Sequence, residues 1–166
     1  MAKSRLRSAN VTEVSALART LATRVIRELE GHQVTVLCES DEVSDFALSL
    51  GCAVAFSAAP GLNESVQGFY ESVTTMYDRI TVVHADLADP VGLRHYQPKA
   101  ELGIVTDQQG LGTNVLSVPA GVGFRFQFGE ASLRLHQAEA TRLRLSCEVL
   151  AEGPWIHDVD LPEDLP

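Results

Sequence analysis

Residues Ile80–Leu87, Ile-Thr-Val-Val-His-Ala-Asp-Leu, decide the fold class. Ile80–His84 is a β-branched run too short for a helix, and it runs straight into the acidic turn Ala85-Asp86-Leu87. A similar run, Leu102–Thr106, leads into the small-residue loop Asp107-Gln-Gln-Gly110-Leu-Gly112-Thr113-Asn114. Upstream, helical spacing and short strands alternate. Asn10 is placed to cap a helix, with Glu13 in capping-box position, and Val11, Val14, Leu17, Leu21, Val25 and Leu29 then recur at helical spacing up to Gly31. Gln33–Cys38 reads as a strand, Ser40 caps a helix that stops at Gly51, Ala53–Phe56 reads as a strand, and a helix follows from Asn63 to Tyr77. Downstream, Val115–Val118 is extended, Ala131–Leu143 is helical, and Cys147–Ala151 and Ile156–Val159 read as strands.

Strands alternating with helices predict an α/β fold, one domain over residues 1–166, with a mostly parallel sheet and helices on both faces. Ligands in such sheets bind beyond the carboxyl ends of the strands, near the topological switch point. Asp86 and the Gly110 loop each follow a strand, so the fold sets both where a site would form.

Composition narrows the function. The chain has 166 residues, 45% hydrophobic and 21% charged, with a net charge of -9. No basic stripe is available to neutralise a nucleic-acid backbone, whereas carboxylates suit a nucleotide bound through metal ions. The three cysteines, Cys38, Cys52 and Cys147, are scattered and read as reduced core residues. No signal-peptide pattern or membrane-length apolar run is present, and the cytoplasm is the expected compartment. Serine-hydrolase elbow, Walker A and zinc-protease motifs are lacking, and the histidines fall outside metal-ligand spacing.

Several residues could carry chemistry, each with a plainer reading beside it. Asp86 could hold a divalent cation, or simply cap a turn. Asp158 and Asp160 stand two apart, on one face of an extended segment, where two like charges repel unless a cation sits between them; a solvated strand edge is the other reading. Thr113, Gly129 and Ser132 could hold a small anion, or could be two ordinary turns and a helix cap. Lys3 and Arg5 could contact a polyphosphate, or form a solvated basic terminus. Asn63 could read a base edge or ribose, or cap a helix, and His84 could shape the site or make a structural hydrogen bond.

The ordered set Ala2-Lys3-Ser4-Arg5-Leu6, Gly61-Leu62-Asn63, His84-Ala85-Asp86-Leu87, Gly110-Leu-Gly-Thr-Asn114, Phe128-Gly129-x-x-Ser132 with His136, and Asp158-Val-Asp160-x-Pro-Glu-Asp-Leu165 resembles one family closely. It is similar to the guanylyltransferase of coenzyme F420 biosynthesis, which activates 2-phospho-L-lactate or phosphoenolpyruvate. The resemblance spans nearly the whole chain and implies a Rossmann-like nucleotidyltransferase fold. It implies transfer of GMP from GTP to the phosphate of the three-carbon acid, with release of pyrophosphate. It also implies a magnesium ion held by Asp86, Asp158 and Asp160, and an acid carboxylate held by Thr113, Gly129 and Ser132. Lys3 and Arg5 would lie near the nucleotide phosphates, with Asp86 as the catalytic residues, and Lys3 and Asn63 would bind the nucleotide. GTP and the phospho-acid are the implied partners, with no nucleic acid or membrane, and a homo-oligomer is left open.

The sequence also departs from that family. Its members begin with an apolar strand and a lysine-containing turn before the Ala-Lys-Ser-Arg-Leu segment, where this chain starts. That strand is central in a doubly wound sheet, so its neighbours are expected to be left with unpaired backbone groups or to re-pair. The expectation is that the chain as written is N-terminally short and folds poorly or turns over slowly, and that a longer protein carries the strand. Ala88-Asp89 also replaces a proline-led turn. The alternatives are a related nucleotidyltransferase with another phosphorylated acceptor, and a non-catalytic nucleotide-binding remnant.

Overall fold

The computed structural model describes residues 11–56 and 61–159. Helix α1 spans Val11–Glu28, and Leu21 and Val25, one turn apart on its apolar stripe, are buried. The Asn10 cap lies outside the described residues. Strand β1 (Thr35–Cys38) pairs in parallel with β2 (Ala53–Phe56) across α2 (Asp41–Ser49), which Ser40 caps by accepting a bond from the Val43 N–H. Helix α3 (Leu62–Val73) ends one turn earlier than its periodicity predicts, and its N-cap is Gly61 rather than Asn63.

The remaining strands are β3 (Arg79–Val83), β4 (Leu102–Thr106), β5 (Thr113–Pro119) and β6 (Cys147–Leu150), with α4 (Ser132–Leu143) between β5 and β6. They form one sheet in the order β3-β5-β4-β6. This sheet is mixed, which corrects the expectation of a mostly parallel one: β5 runs antiparallel to both β3 and β4, and β6 runs parallel to β4. The reason is the connection from Thr106 to Thr113. It is far shorter than the dozen or so residues a parallel crossover needs, so β4 and β5 must close as a hairpin. The expected strand at Ile156–Val159 is replaced by a short 3-10 helix, Pro154–Ile156, and one isolated bridge between Leu87 and Asp158.

Helices cover both faces of the sheet, as expected. Leu102, Ile104, Leu116 and Val118 pack with Val66 and Tyr70 of α3 and Ala140 of α4. Val105 and Val115, pointing the other way, pack with Val25 of α1, Leu87 and Leu93. Leu37 of β1 joins the first of these clusters beside Ile80 and Val82. Among the described residues, however, β1 pairs only with β2 and β3 only with β5, so the two sheets share a core without a common ladder. Cys38 and Cys52 are buried as expected, but Cys147 is exposed, and all three thiols are free.

Candidate active site

Asp86 sits just past β3. The His84 N–H donates to the Asn114 carbonyl, extending the β3–β5 ladder by one residue before the chain turns. Residues 157–159 are then laid against that turn: the Ala88 N–H donates to His157 O at 2.8 Å and the Val159 N–H to Asp86 O at 2.9 Å. The 3-10 helix before them is pinned at Trp155, whose indole N–H donates to Val91 O while its own carbonyl accepts from the Asn114 side chain. This anchoring sets Asp158, half-buried, opposite Leu87, the residue after Asp86, although the two segments are distant in sequence. The Oδ1 of Asp86 is closed to solvent and has no hydrogen-bond partner among the described residues, and the same holds for Nε2 of His84. The structural hydrogen bond expected for His84 is therefore missing at Nε2. Asp160, Lys3 and Arg5 lie outside the described residues, and among the described ones no three His, Cys, Asp or Glu side chains group for a metal.

The Gly110 loop is organised from within. Asp107 accepts the Leu111 N–H through Oδ1 at 2.8 Å and the Gly110 N–H through its backbone carbonyl at 3.0 Å. The Gly110 and Leu111 amides are thus spent on Asp107 within the loop. A Cβ on Gly112 would lie 2.6 Å from Asp107 Oδ2, so a larger residue there would push that carboxylate from its place. On the outer side, Gln108 meets the His157 ring at 3.2 Å, joining this loop to the segment that carries Asp158.

Thr113, Ser132 and His136 are brought together. All three are buried. The Ser132 hydroxyl donates to Thr113 Oγ1 at 3.1 Å, and His136 Nδ1 lies 3.1 Å from the same oxygen. His136 Nε2 accepts the Gln127 N–H, so the single proton of the neutral ring belongs on Nδ1, which donates to Thr113. Burial pushes the His136 pKa down to about 4, in keeping with a neutral ring. Gly129 begins the turn into α4 with φ 123, a conformation that glycine tolerates, and its carbonyl accepts the Ser132 N–H. Asn63 is spent on the same turn: its carboxamide accepts the Phe128 N–H at 2.6 Å and donates to Phe128 O at 3.0 Å. The His84 ring packs 5.3 Å from the Phe128 ring, so the end of β3 lies against this cluster.

Sequence reasoning passed over Gln67, Asp107 and Glu139, although Asn63 and Gln67 stand four apart, and His136 and Glu139 three apart, on single helix faces. A family model described as guanylyl transferase CofC like matches residues 1–166. The chain belongs to that family. Two proteins named 3-phospho-D-glycerate guanylyltransferase are similar to this CofC-like chain. The one from Phenylobacterium zucineum (strain HLK1) is 43% identical over 53 residues, 32% of this chain and 24% of that protein. The one from Colwellia psychrerythraea (strain 34H / ATCC BAA-681) is 26% identical over 141 residues, 81% of this chain and 67% of that protein. The CofC-like chain thus matches less than a quarter of the first relative's length.

Proposed function

We propose that this chain transfers GMP from GTP to the phosphate of a three-carbon phospho-acid and releases pyrophosphate. The observation that carries the reading is the buried cluster of Thr113, Ser132 and His136 beside Gly129, built from motif residues far apart in sequence, in a CofC-like chain. Thr113, Gly129 and Ser132 would hold the acid's carboxylate at the N-terminus of α4, where the helix dipole favours an anion. Asp86, Asp158 and Asp160 would hold Mg2+. The buried Oδ1 of Asp86, unpartnered among the described residues, fits such an ion, because a carboxylate oxygen without a donor is stabilised by a cation. When bound, the ion would neutralise charge on the phosphate oxygens.

An oxygen of the acceptor phosphate would attack the α-phosphorus of GTP. One P–O bond forms there, and the bond to the bridging oxygen of pyrophosphate breaks. The acceptor needs no strong base, since its second ionisation lies near pH ~6. His136 is not placed to act as one, with both ring nitrogens already hydrogen-bonded. The protein's contribution would be alignment and charge, with Lys3 and Arg5 as the cationic side chains for the phosphates and Asn63 holding the nearby turn.

The acceptor is one of a small chemical class. Motif resemblance favours phosphoenolpyruvate or 2-phospho-L-lactate, and with them coenzyme F420 biosynthesis, while the similar proteins are named for 3-phospho-D-glycerate. Pyrophosphate release from GTP and Mg2+ with each acid in turn tests the reading. Release with one or more of the three is expected. Absence with all three, or equal release with a sugar phosphate, would overturn it.

A further inference from the structure

Residues Phe124–Phe128, Phe-Arg-Phe-Gln-Phe, belong to no helix or sheet, yet their amides alternate in direction as those of an extended chain do. Four of their amides are nevertheless held, because side chains take the place of neighbouring strands. The Arg125 N–H donates to Glu139 Oε1 at 2.9 Å, Phe126 N–H to Gln67 Oε1 at 3.1 Å, Gln127 N–H to His136 Nε2 at 3.0 Å and Phe128 N–H to Asn63 Oδ1 at 2.6 Å. Odd positions are held from α4 and even positions from α3. Gln67 and Asn63 also donate to the carbonyls of Phe124 and Phe128. The alternation follows from geometry: successive amides of an extended chain point to opposite sides, and side chains three or four apart on a helix share one face. Meanwhile Phe124, Phe126 and Phe128 are all buried and lock the segment into the core.

This segment ends at Gly129, so its register sets where the turn into α4 stands relative to Thr113. We propose that Gln67 and Glu139 are positioning residues for the acceptor cradle, acting through the 124–128 backbone without touching the cradle themselves. The inference rests on the reading of Thr113, Gly129 and Ser132 as the acceptor site. Glu139 is suited to the role because the Arg142 guanidinium holds it ionised at 2.6 Å, making it a strong, fixed acceptor. Gln67 is likewise steadied, its amide also donating to Glu71 at 2.8 Å.

The test compares the full chain with Gln67→Met, Glu139→Ala and Glu139→Gln. Two readouts are taken: backbone amide exchange over residues 124–132, and steady-state pyrophosphate release with the KM for acceptor and for GTP measured separately. Removing either acceptor takes the partner from a part-buried N–H, so exchange over 124–132 should quicken by about tenfold or more while β4 and β5 stay protected. The acceptor KM should rise by about tenfold, with the GTP KM moving less than about twofold. Glu139→Gln keeps an oxygen for Arg125 and should recover most of both effects, which mere loss of packing volume would not predict for Glu139→Ala alone. Unchanged exchange at 124–132, or acceptor and GTP KM rising together, overturns the proposal. If the parent chain releases no pyrophosphate with any acceptor while exchange still quickens locally, the positioning holds and the assignment of the cradle to a phospho-acid falls.

Discussion

Asp86 keeps a carboxylate oxygen out of water with no donor on it among the described residues, an arrangement that costs about 1–3 kcal/mol unless something else meets it. Such a cost is found where function demands the group. Asp86→Asn should therefore lower pyrophosphate release by about a hundredfold or more while the melting temperature stays level or rises. An unchanged rate would remove Asp86 from the proposed site. His136 makes the opposite case, a buried group fully partnered. Its pKa falls from 6.5 to about 4 because burial disfavours the imidazolium. The unfolded chain thus binds the extra proton first. The neutral ring's contribution is present above pH 6.5 and is lost as the pH drops from there toward about 4, a difference on the order of 3 kcal/mol. An imidazole NMR titration should show His136 neutral, with its proton on Nδ1, at pH 5.5, where an ordinary histidine is mostly charged. A normal midpoint would refute the closed network. The motif residues were legible as a set, yet their sharing of one hydroxyl, Thr113 Oγ1, was not, because nothing local in sequence relates residue 113 to residue 132 or 136.

Strand β4 shows what burial on both faces asks of an element. All five of its residues are buried, and Gly103 is there because the Tyr96 hydroxyl and the Pro98 ring fill the space a side chain would take. Gly103→Ala should destabilise the fold by about 1–3 kcal/mol, read as a lower urea midpoint at constant slope. No loss would mean that Tyr96 and Pro98 move aside freely. Most element positions were readable from periodicity: α1, α2, β1, β2, β3, β4 and α4 stand where spacing and caps put them, within a residue or a few. The strand expected at Ile156–Val159 was misread, and residues 124–128 received no reading, each for an identifiable reason. Ile156–Val159 has strand-like composition but makes one bridge among the described residues, since Trp155 before it is tied to Val91 and Asn114 on either side. Residues 124–128 have strand spacing of aromatics but no strand neighbours, because helix side chains meet their amides.

Across the whole molecule, burial is uneven. Strands β4 and β5 are almost wholly buried between two helical layers, whereas β1 and β2 form a two-stranded sheet of mostly half-buried or exposed residues. A pair of strands has little stability of its own. Amides of β4 and β5 should exchange only by global unfolding, and those of β1 and β2 by local opening, faster on the order of a hundredfold. Equal protection would show that the two sheets open as one unit. The same contrast separates what each level of description settles. The sequence by itself determined the α/β class, the order of the elements, the terminal glycines and the motif residues, because period, caps and turn chemistry act between near neighbours. Only the tertiary structure decided that the main sheet is mixed, that Gly110 and Leu111 direct their amides inward, that Asn63 serves the Phe128 backbone, and that Asp158 comes opposite Leu87. Each of those depends on which distant donor and acceptor meet when the core closes, and that meeting is set by long-range packing and the need to satisfy every buried backbone group.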